Sequence, residues 1–327
     1  MTADGEFRRV LVTGAAGYLG RQLVTALAAE PGGVETIVAS DLRPLPPHDT
    51  PAGVVADALD VRDGAAVRAS FRRHRPDVVV HLAAIVTPGR GSNRELEWQV
   101  DVGGTKNVLE ACLEAGVRKL VYTSSGAAYG YHADNPEWLD ESHPLRGNRE
   151  FAYSDHKRQV EEMLADWRAK HPELLQLVLR PGTILGATTR NQITDLFDGR
   201  IVLGVGGSAS PFVFIWDQDV VGAILLGVRR GGTGCYNLAG DGALTVREIA
   251  KRLGKPYVEI PPALLAAGLW ALSKLRLTQY GPEQVGFLRY RPVLSNRRLV
   301  QEFGYRPRKT TLETFEYFVA SRAASRR

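Results

Sequence analysis

Residues 10–20, an apolar run followed by three spaced glycines, limit more than any other stretch how this chain can fold. The run ends at Thr13, and a helical pattern begins among the glycines. This order predicts a β-strand, a tight turn and an α-helix. Gly14 would permit the bend, Gly17 would let a phosphate approach the backbone, and Gly20 would let the helix pack on the strand. Because a helix N-terminus presents free N–H groups, the turn predicts a dinucleotide site.

Apolar β-type runs alternate with helical patterns through the first 180 residues, which predicts an α/β fold with a doubly wound parallel sheet of the Rossmann type. We predict further strands at 34–40, 54–56, 77–81, 119–123 and 174–180, and helices at 64–74, 94–115 and 151–170. Beyond residue 180 we expect an irregular segment 181–211, a strand 212–216, a helix 219–229, a strand 234–238, and helices at 245–253, 261–275, 295–303 and 312–320. Residues 1–180 would form the dinucleotide-binding domain with 212–238 returning to it, and 181–211 with 239–327 a smaller, mainly helical substrate lobe.

Composition narrows the classes of partner. The 327 residues carry a net charge of +5 with acidic and basic side chains interspersed, unlike the basic stripe of a nucleic-acid-binding protein. No apolar run is long enough to span a bilayer, and residues 1–9 lack a targeting core. We therefore expect a cytoplasmic protein that acts on a small molecule, without nucleic-acid or membrane partners. Cys112 and Cys235 are expected to be buried and unpaired, and the histidines show no metal-ligand spacing.

Asp41 ends the predicted second strand, 21 positions after Gly20. A carboxylate there accepts hydrogen bonds from an adenosine ribose and repels a 2′-phosphate, which favours NAD over NADP. An aspartate that merely caps a loop is the alternative. Farther along, Asp60 could accept from the adenine amino group, and Asp63 is expected to cap the next helix.

Tyr153 and Lys157 are one helical turn apart and therefore point into the same space. The lysine ammonium would favour the tyrosine phenolate, whose pKa is otherwise about 10. Ser125, at the end of the predicted fifth strand, would supply a third polar group. A carbonyl or alcohol oxygen held between Ser125 and Tyr153 can gain or lose a proton during a hydride transfer. Without the glycine turn, the same pair would fit an exposed helix face equally well.

Here the chain resembles the extended short-chain dehydrogenases/reductases, specifically the NAD-dependent epimerase/dehydratase family, and within it a UDP-glucose 4-epimerase-like subgroup. The motifs that carry the resemblance are residues 13–20, Asp41, 81–84, 104–108, 123–130, Tyr153 with Lys157, 180–186 and 236–238.

The resemblance implies that Ser125, Tyr153 and Lys157 are catalytic and that residues 181–184 lie against the nicotinamide of NAD. The complete set of expected cofactor contacts is Gly14, Ala16, Gly17, Tyr18, Leu19, Gly20, Asp41, Leu42, Arg43, Asp60, Val61, Leu82, Ala83, Ala84, Thr123, Tyr153, Lys157, Pro181, Thr183 and Ile184. The helices 94–115 and 151–170 would form a homodimer interface through Leu109, Val160, Met163, Leu164 and Trp167, for which burial within the monomer is an equal competitor.

Departures from the family pattern bear on the substrate. Family members that dehydrate sugars have an acidic pair where this chain has Gly126 and Ala127. Sugar-nucleotide members have a diphosphate-binding arginine where this chain has Phe212. The substitutes considered for that arginine are Arg190, Arg291 and Arg297, each expected at the surface. Asp101 stands where asparagine is usual, with no role assigned. The expected substrate contacts are Ile85, Gly126, Ala127, Tyr129 and Phe212, and Val86, Trp138, Ile184 and Trp216 are further candidates for the pocket wall.

Three hypotheses follow. The first is an NAD-dependent oxidoreductase that interconverts a secondary alcohol and a ketone on a small metabolite, because the triad is intact and the phosphate-binding arginine is missing. The second is a UDP-sugar 4-epimerase with tightly bound NAD, which the subgroup resemblance favours. The third, a non-catalytic NAD-binding regulator, would be expected to lack Tyr153 or Lys157.

Overall fold

The computed structural model of the chain describes residues 7–86, 92–230, 232–275, 281 and 284–324. Its strands are β1 (Arg9–Thr13), β2 (Thr36–Asp41), β3 (Val54–Ala58), β4 (Val78–His81), β5 (Lys119–Thr123), β6 (Leu175–Pro181), β7 (Thr183–Leu185), β8 (Val202–Val205), β9 (Phe214–Trp216), β10 (Gly234–Leu238) and β11 (Tyr257–Ile260). Its α-helices are α1 (Tyr18–Ala29), α2 (Gly64–His74), α3 (Arg94–Trp98), α4 (Gly104–Ala115), α5 (Ala152–Lys170), α6 (Gln192–Asp195), α7 (Asp217–Arg229), α8 (Val246–Arg252), α9 (Pro262–Lys274), α10 (Gln284–Arg289) and α11 (Thr311–Ala324).

A seven-stranded, fully parallel sheet forms the centre of the molecule, in the order β10-β6-β5-β4-β1-β2-β3. This confirms the predicted doubly wound α/β fold. The strand order reverses between β1 and β4, where Thr13 lies beside His81. Ligands of open α/β sheets bind outside the carboxyl ends of strands at such a point.

Alternate residues of the buried strands supply two hydrophobic cores. Val10 and Val12 of β1 face one side of the sheet, which α1 and α7 cover, while Leu11 faces the side that α2, α4 and α5 cover. Because both faces are covered, the central strands are apolar throughout, as is typical of parallel sheets. Asp63 caps α2 as predicted, accepting from the N–H groups of Ala65 and Ala66.

The segment 181–211 is less irregular than predicted. It contains β7, α6 and β8. β8 pairs with β11, a strand that the sequence analysis did not predict, and β7 pairs with β9 outside the main sheet. These strands are three or four residues long, too short to show a period-two pattern. The predicted helix 94–115 is also interrupted, by a π-helical turn over Gln99–Gly103.

Aromatic side chains pack the segments that carry Phe197, Phe212, Phe214 and Phe315 against one another. Phe212 and Phe214 stack with centroids 5.5 Å apart, and Phe214 in turn stacks on Phe315 of α11 at 5.6 Å. Phe197 meets Phe212 and Phe315 edge-on. Phe212 is therefore part of a packed hydrophobic core.

The residues considered for a dimer interface divide into two groups. Leu109, Val160 and Leu164 are buried within the monomer, whereas Met163 and Trp167 are only partly buried. The homodimer stays a prediction. Cys112 is buried, and Cys235 is partly exposed, contrary to expectation. Within the described ranges, no helix is long and apolar enough to cross a membrane.

Replacing Gly20 by alanine should destabilise the fold. A Cβ atom there would lie 2.7 Å from the Cα atom of Ala15 and closer still to the carbonyl oxygen of Gly14. Both are backbone atoms, so we expect a loss of about 1–3 kcal/mol in unfolding free energy. Urea unfolding measures it.

The matched control is Gly268→Ala in α9, where a Cβ meets no atom within 4 Å. Alanine should stabilise that helix by up to about 1 kcal/mol. Equal effects of the two substitutions would contradict the proposed role of Gly20.

Candidate active site

The hydroxyl groups of Ser125 and Tyr153 meet at the end of β5. Ser125 directly follows Ser124 at the N-terminus of a 3-10 turn, Gly126–Tyr129, and accepts from the N–H of Ala127 at 3.1 Å. Tyr153 lies in the first turn of α5, and its side chain lines the same cavity as Ser125. The structure thus brings together two of the three predicted catalytic side chains.

Lys157 lies one turn farther along α5, on the same side. Its Nζ donates to the hydroxyl of Tyr122 at 2.9 Å and to the carbonyl oxygen of Thr123 at 3.0 Å. It lies 5.9 Å from the centroid of the Tyr153 ring. The ammonium is therefore near Tyr153 but is held by the end of β5.

Burial controls the charge of both side chains. Burial raises the pKa of Tyr153 well above its usual 10, and the nearby hydroxyl of Ser125 opposes this. Burial lowers the pKa of Lys157 from 10.5 to about 8, while the charges of Asp101 and Glu161 oppose this. At neutral pH the tyrosine is therefore a neutral acid beside a cationic lysine.

The buried ion pair between Glu161 and Arg180 positions the elements that carry Ser125, Tyr153 and Lys157. Glu161, one turn after Lys157, accepts two hydrogen bonds from Arg180 of β6 at 2.9 and 2.6 Å. Glu161 also accepts from the hydroxyl of Ser124 at 2.5 Å. Arg180 donates to the hydroxyl of Tyr129 at 2.8 Å. Helix α5 is thereby fixed to β6 and to the loop that carries Ser125.

Asp101, to which the sequence analysis assigned no role, lies in the π-helical turn and is buried. One carboxylate oxygen accepts from the N–H of Ile85 at 2.8 Å. The other lies 3.3 Å from Nδ1 of His156, which is also buried. Asp101 therefore joins the loop after β4 to the helix that carries Tyr153 and Lys157, and its charge favours the ammonium form of Lys157.

His81, at the end of β4, is a neutral structural residue. Its two ring nitrogens lie 2.6 Å from Oγ1 of Thr13 and 3.0 Å from Oγ1 of Thr105. Burial, aided by the charge of Lys157, lowers the pKa of His81 to about 3. No group of side chains in the described ranges could hold a metal ion.

The glycine turn has the shape that a dinucleotide requires. Gly14 has a φ of +71°, and a Cβ there would lie 2.6 Å from the backbone nitrogen of Ala83. Helix α1 begins after Gly17 without a side-chain cap, so its first N–H groups are left for an anion. Gly20 packs on the Gly14–Ala15 turn rather than on the strand. The residues around this turn therefore fit NAD.

Several other predicted cofactor residues have partners of their own. Asp41 accepts from the N–H groups of Ala16 at 3.0 Å and Arg43 at 3.1 Å, which fastens it to the turn. Both carboxylate oxygens of Asp60 accept from Arg62, which lowers the pKa of Asp60. Leu42 is exposed.

Tyr18, the first residue of α1, contacts two residues far along the chain. Its hydroxyl donates to Asp217 at 2.5 Å and accepts from Thr189 at 2.9 Å. Burial and the hydrogen bond to Asp217 raise its pKa to about 12.

Next to Ser125 and Tyr153 is a largely apolar cavity of about 190 Å³. Of the predicted substrate and pocket-wall residues, Val86, Gly126, Ala127, Ile184 and Phe212 line it, as do Pro181 and Thr183. The described lining contains no aspartate or glutamate.

Four predicted wall residues lie elsewhere, and this corrects the prediction. Tyr129 is fully buried, because its hydroxyl is held by Arg180, Asn237 and the carbonyl of Asp140. Trp138 is largely exposed, Trp216 packs against Tyr317 and the cations of Arg308 and Lys309, and Ile85 contributes its N–H to Asp101.

Four further residues of the cavity lining were not among the predicted substrate contacts. They are Tyr131, Phe151, Phe287 and Arg291. Arg291 was expected at the surface but is buried, with its guanidinium carbon 4.0 Å from the centroid of the Phe212 ring. The sequence did hold a signal for Arg291. Phe212 replaces the arginine that the family has at that position, and an arginine at another position could compensate for that loss.

The low pKa of Lys157 predicts a pH-dependent stability. The unfolded lysine keeps its proton up to about pH 10.5 and the folded one up to about pH 8. Between these values the unfolded chain binds more protons, so rising pH stabilises the fold. Relative to Lys157→Met, the wild-type protein should gain up to about 3 kcal/mol over this interval, as measured by urea unfolding from pH 7 to pH 10.

Asp101→Asn tests the cause of this effect. Removing the negative charge should lower the pKa of Lys157 further, so the gain should begin at a lower pH. Parallel stability profiles for wild type and Lys157→Met would show that Lys157 does not titrate in this range.

Comparison with known proteins places this geometry in a family. Residues 10–238 match the NAD dependent epimerase/dehydratase family. The 3-diazoavenalumate denitrifying reductase of a Streptomyces species is 33% identical over 84% of this chain and 91% of its own length. A 3beta-hydroxysteroid-dehydrogenase/decarboxylase of Arabidopsis thaliana is 26% identical over 96% of this chain and 81% of its own.

Among solved structures, the UDP-glucose 4-epimerase of Thermus thermophilus in complex with NAD is 26% identical, with a TM-score of 0.70 over 95% of this chain and 99% of that one. These matches confirm the predicted family and cofactor. The chain belongs to the NAD-dependent epimerase/dehydratase family of extended short-chain dehydrogenases/reductases, and it is an NAD-dependent enzyme.

Proposed function

We propose that the protein is an NAD-dependent oxidoreductase that interconverts a secondary alcohol and a ketone on a small, largely apolar metabolite. The observation that carries this proposal is that Ser125 and Tyr153 line the same, largely apolar cavity. When bound, NAD supplies the hydride acceptor or donor. Gly14, Gly17, Asp41 and Lys157 are among the residues that would hold it.

The side chains divide the proton chemistry between them. Ser125 would hold the substrate oxygen by a hydrogen bond, and Tyr153 would exchange a proton with it. Because burial raises the pKa of Tyr153, the neutral phenol is suited to donate to a carbonyl oxygen, which is the reductive direction. In oxidation the phenolate must form first, and the charge of Lys157 would stabilise it.

The cavity favours this reaction over the elimination and sugar-nucleotide reactions of the family. Gly126 and Ala127 line it, and the described lining residues include no acidic side chain, so elimination would lack its acid and base. Phe212 occupies the wall where sugar-nucleotide relatives have a phosphate-binding arginine, and it packs into the aromatic core. Relatives named as a reductase and a hydroxysteroid dehydrogenase support redox chemistry.

A UDP-sugar 4-epimerase is the second candidate, because the Thermus epimerase matches nearly the whole chain. In that reaction the same pair would take a proton from the sugar hydroxyl and return it, without net redox change. Incubation with UDP-glucose and no added cofactor tests it. Formation of UDP-galactose would establish the epimerase and overturn the oxidoreductase.

Replacing Tyr153 by phenylalanine should lower turnover by about 10²- to 10⁴-fold while leaving NAD binding unchanged, because only the proton-exchanging hydroxyl is lost. The assay follows NADH absorbance with a panel of secondary alcohols and ketones. Tyr236→Phe is the matched control, since that hydroxyl bonds to the carbonyl of Thr233 at the far edge of the sheet. Unimpaired turnover in Tyr153→Phe would refute the assignment, and NAD binding without any turnover would favour the non-catalytic regulator.

A further inference from the structure

Arg291 is a buried cation in the lining of the cavity beside Ser125 and Tyr153. Its guanidinium carbon lies 4.0 Å from the ring centroid of Phe212 and 4.5 Å from that of Phe287. Nε and Nη2 are buried and have no hydrogen-bond partner among the described residues. These two nitrogens form one edge of the planar guanidinium, so their N–H bonds point in the same direction.

The surroundings of Arg291 do not compensate its charge. No acidic side chain of the described residues lines the cavity, and the other polar side chains there are neutral, as in Asn191, Gln192 and Tyr131. Burial lowers the pKa of Arg291 to about 10, so it remains a cation at neutral pH. A buried charge without a partner is costly, and a ligand of opposite charge would remove that cost.

We propose that Arg291 binds a carboxylate of the substrate side-on through Nε and Nη2. The substrate is then a monocarboxylic acid whose alcohol or ketone carbon lies at Ser125 and Tyr153. This assignment rests on the oxidoreductase function proposed above and adds the substrate class.

The charge and shape of the site favour a carboxylate over a phosphate. The described lining holds one cation, which matches one negative charge, whereas a diphosphate would bring additional charge into an apolar cavity. Because Phe212 and Phe287 both lie close to the guanidinium, a flat anion in its plane fits best, and a carboxylate is flat.

The other lining residues indicate what kind of carbon skeleton the substrate would have. Val86, Ile184, Ile193 and Leu294 line the same cavity as Ser125, Tyr153 and Arg291. An apolar cavity of about 150 Å³ is known to bind benzene, so the present cavity of about 190 Å³ has room for a ring with a short chain. Phenyl-substituted alkanoic acids are therefore suitable probes.

The test compares acids with their neutral amides. Phenylacetate, 3-phenylpropanoate and 4-phenylbutanoate, each with its primary amide, are titrated by calorimetry into the full-length protein saturated with NADH. We expect at least one acid to bind wild type tenfold or more tightly than its amide. Arg291→Met should reduce this preference to within twofold, and Arg291→Lys should retain only part of it. Arg297→Met, at an exposed arginine nearby, should leave it unchanged.

The outcomes separate this inference from the proposed function. Equal binding of acid and amide, no acid binding at all, or an unchanged preference in Arg291→Met would each overturn the carboxylate site, even if alcohols are oxidised. An acid preference that Arg291→Met abolishes would uphold it, even if Tyr153→Phe and wild type are equally inactive, in which case the oxidoreductase function fails. If Arg291→Met does not fold, the reduced preference of Arg291→Lys decides.

Discussion

The ion pair between Glu161 and Arg180 is the interaction on which the arrangement of the active site depends. Glu161 follows Lys157 by one turn, and Arg180 precedes the Pro181 that lines the cavity. The same carboxylate accepts a hydrogen bond from Ser124 and so positions the residue next to Ser125. Burial disfavours the charge of Arg180, but Glu161 raises the pKa of Arg180, so the guanidinium stays a cation. Removing either partner would leave a buried charge unpaired, which is strongly destabilising.

Features that depend only on short stretches of the chain could be predicted from the sequence. The glycine turn, the buried strands and the spacing of Tyr153 and Lys157 each depend on a few neighbouring residues, and the structure has the turn, the parallel sheet and the shared helix face. The family and its cofactor follow from the same short motifs. Local chemistry of this kind is visible before folding because the chain itself fixes the spacing.

The substrate end of the site depends on contacts between distant segments, and these could not be predicted. Arg291 reads as a surface residue until the loop before β9 and helix α10 bring Phe212 and Phe287 against it. Tyr129 reads as a pocket residue until Arg180 and Asn237 are seen to hold its hydroxyl in the core. In both cases at least one partner that sets the side chain's environment lies more than 50 positions away in the chain: Phe212 for Arg291, and Arg180 and Asn237 for Tyr129.

The two hydrogen bonds of Tyr18 bear on how binding at the predicted dinucleotide turn and binding in the cavity could affect each other. Tyr18 begins the helix that follows the glycine turn, and its partner Thr189 precedes the short helix that begins at Gln192 and borders the cavity. One side chain therefore joins the predicted dinucleotide turn to the wall of the cavity. Any coupling between ligands at these two places would be reciprocal, because the factor by which one ligand strengthens binding of the other is the same in both directions.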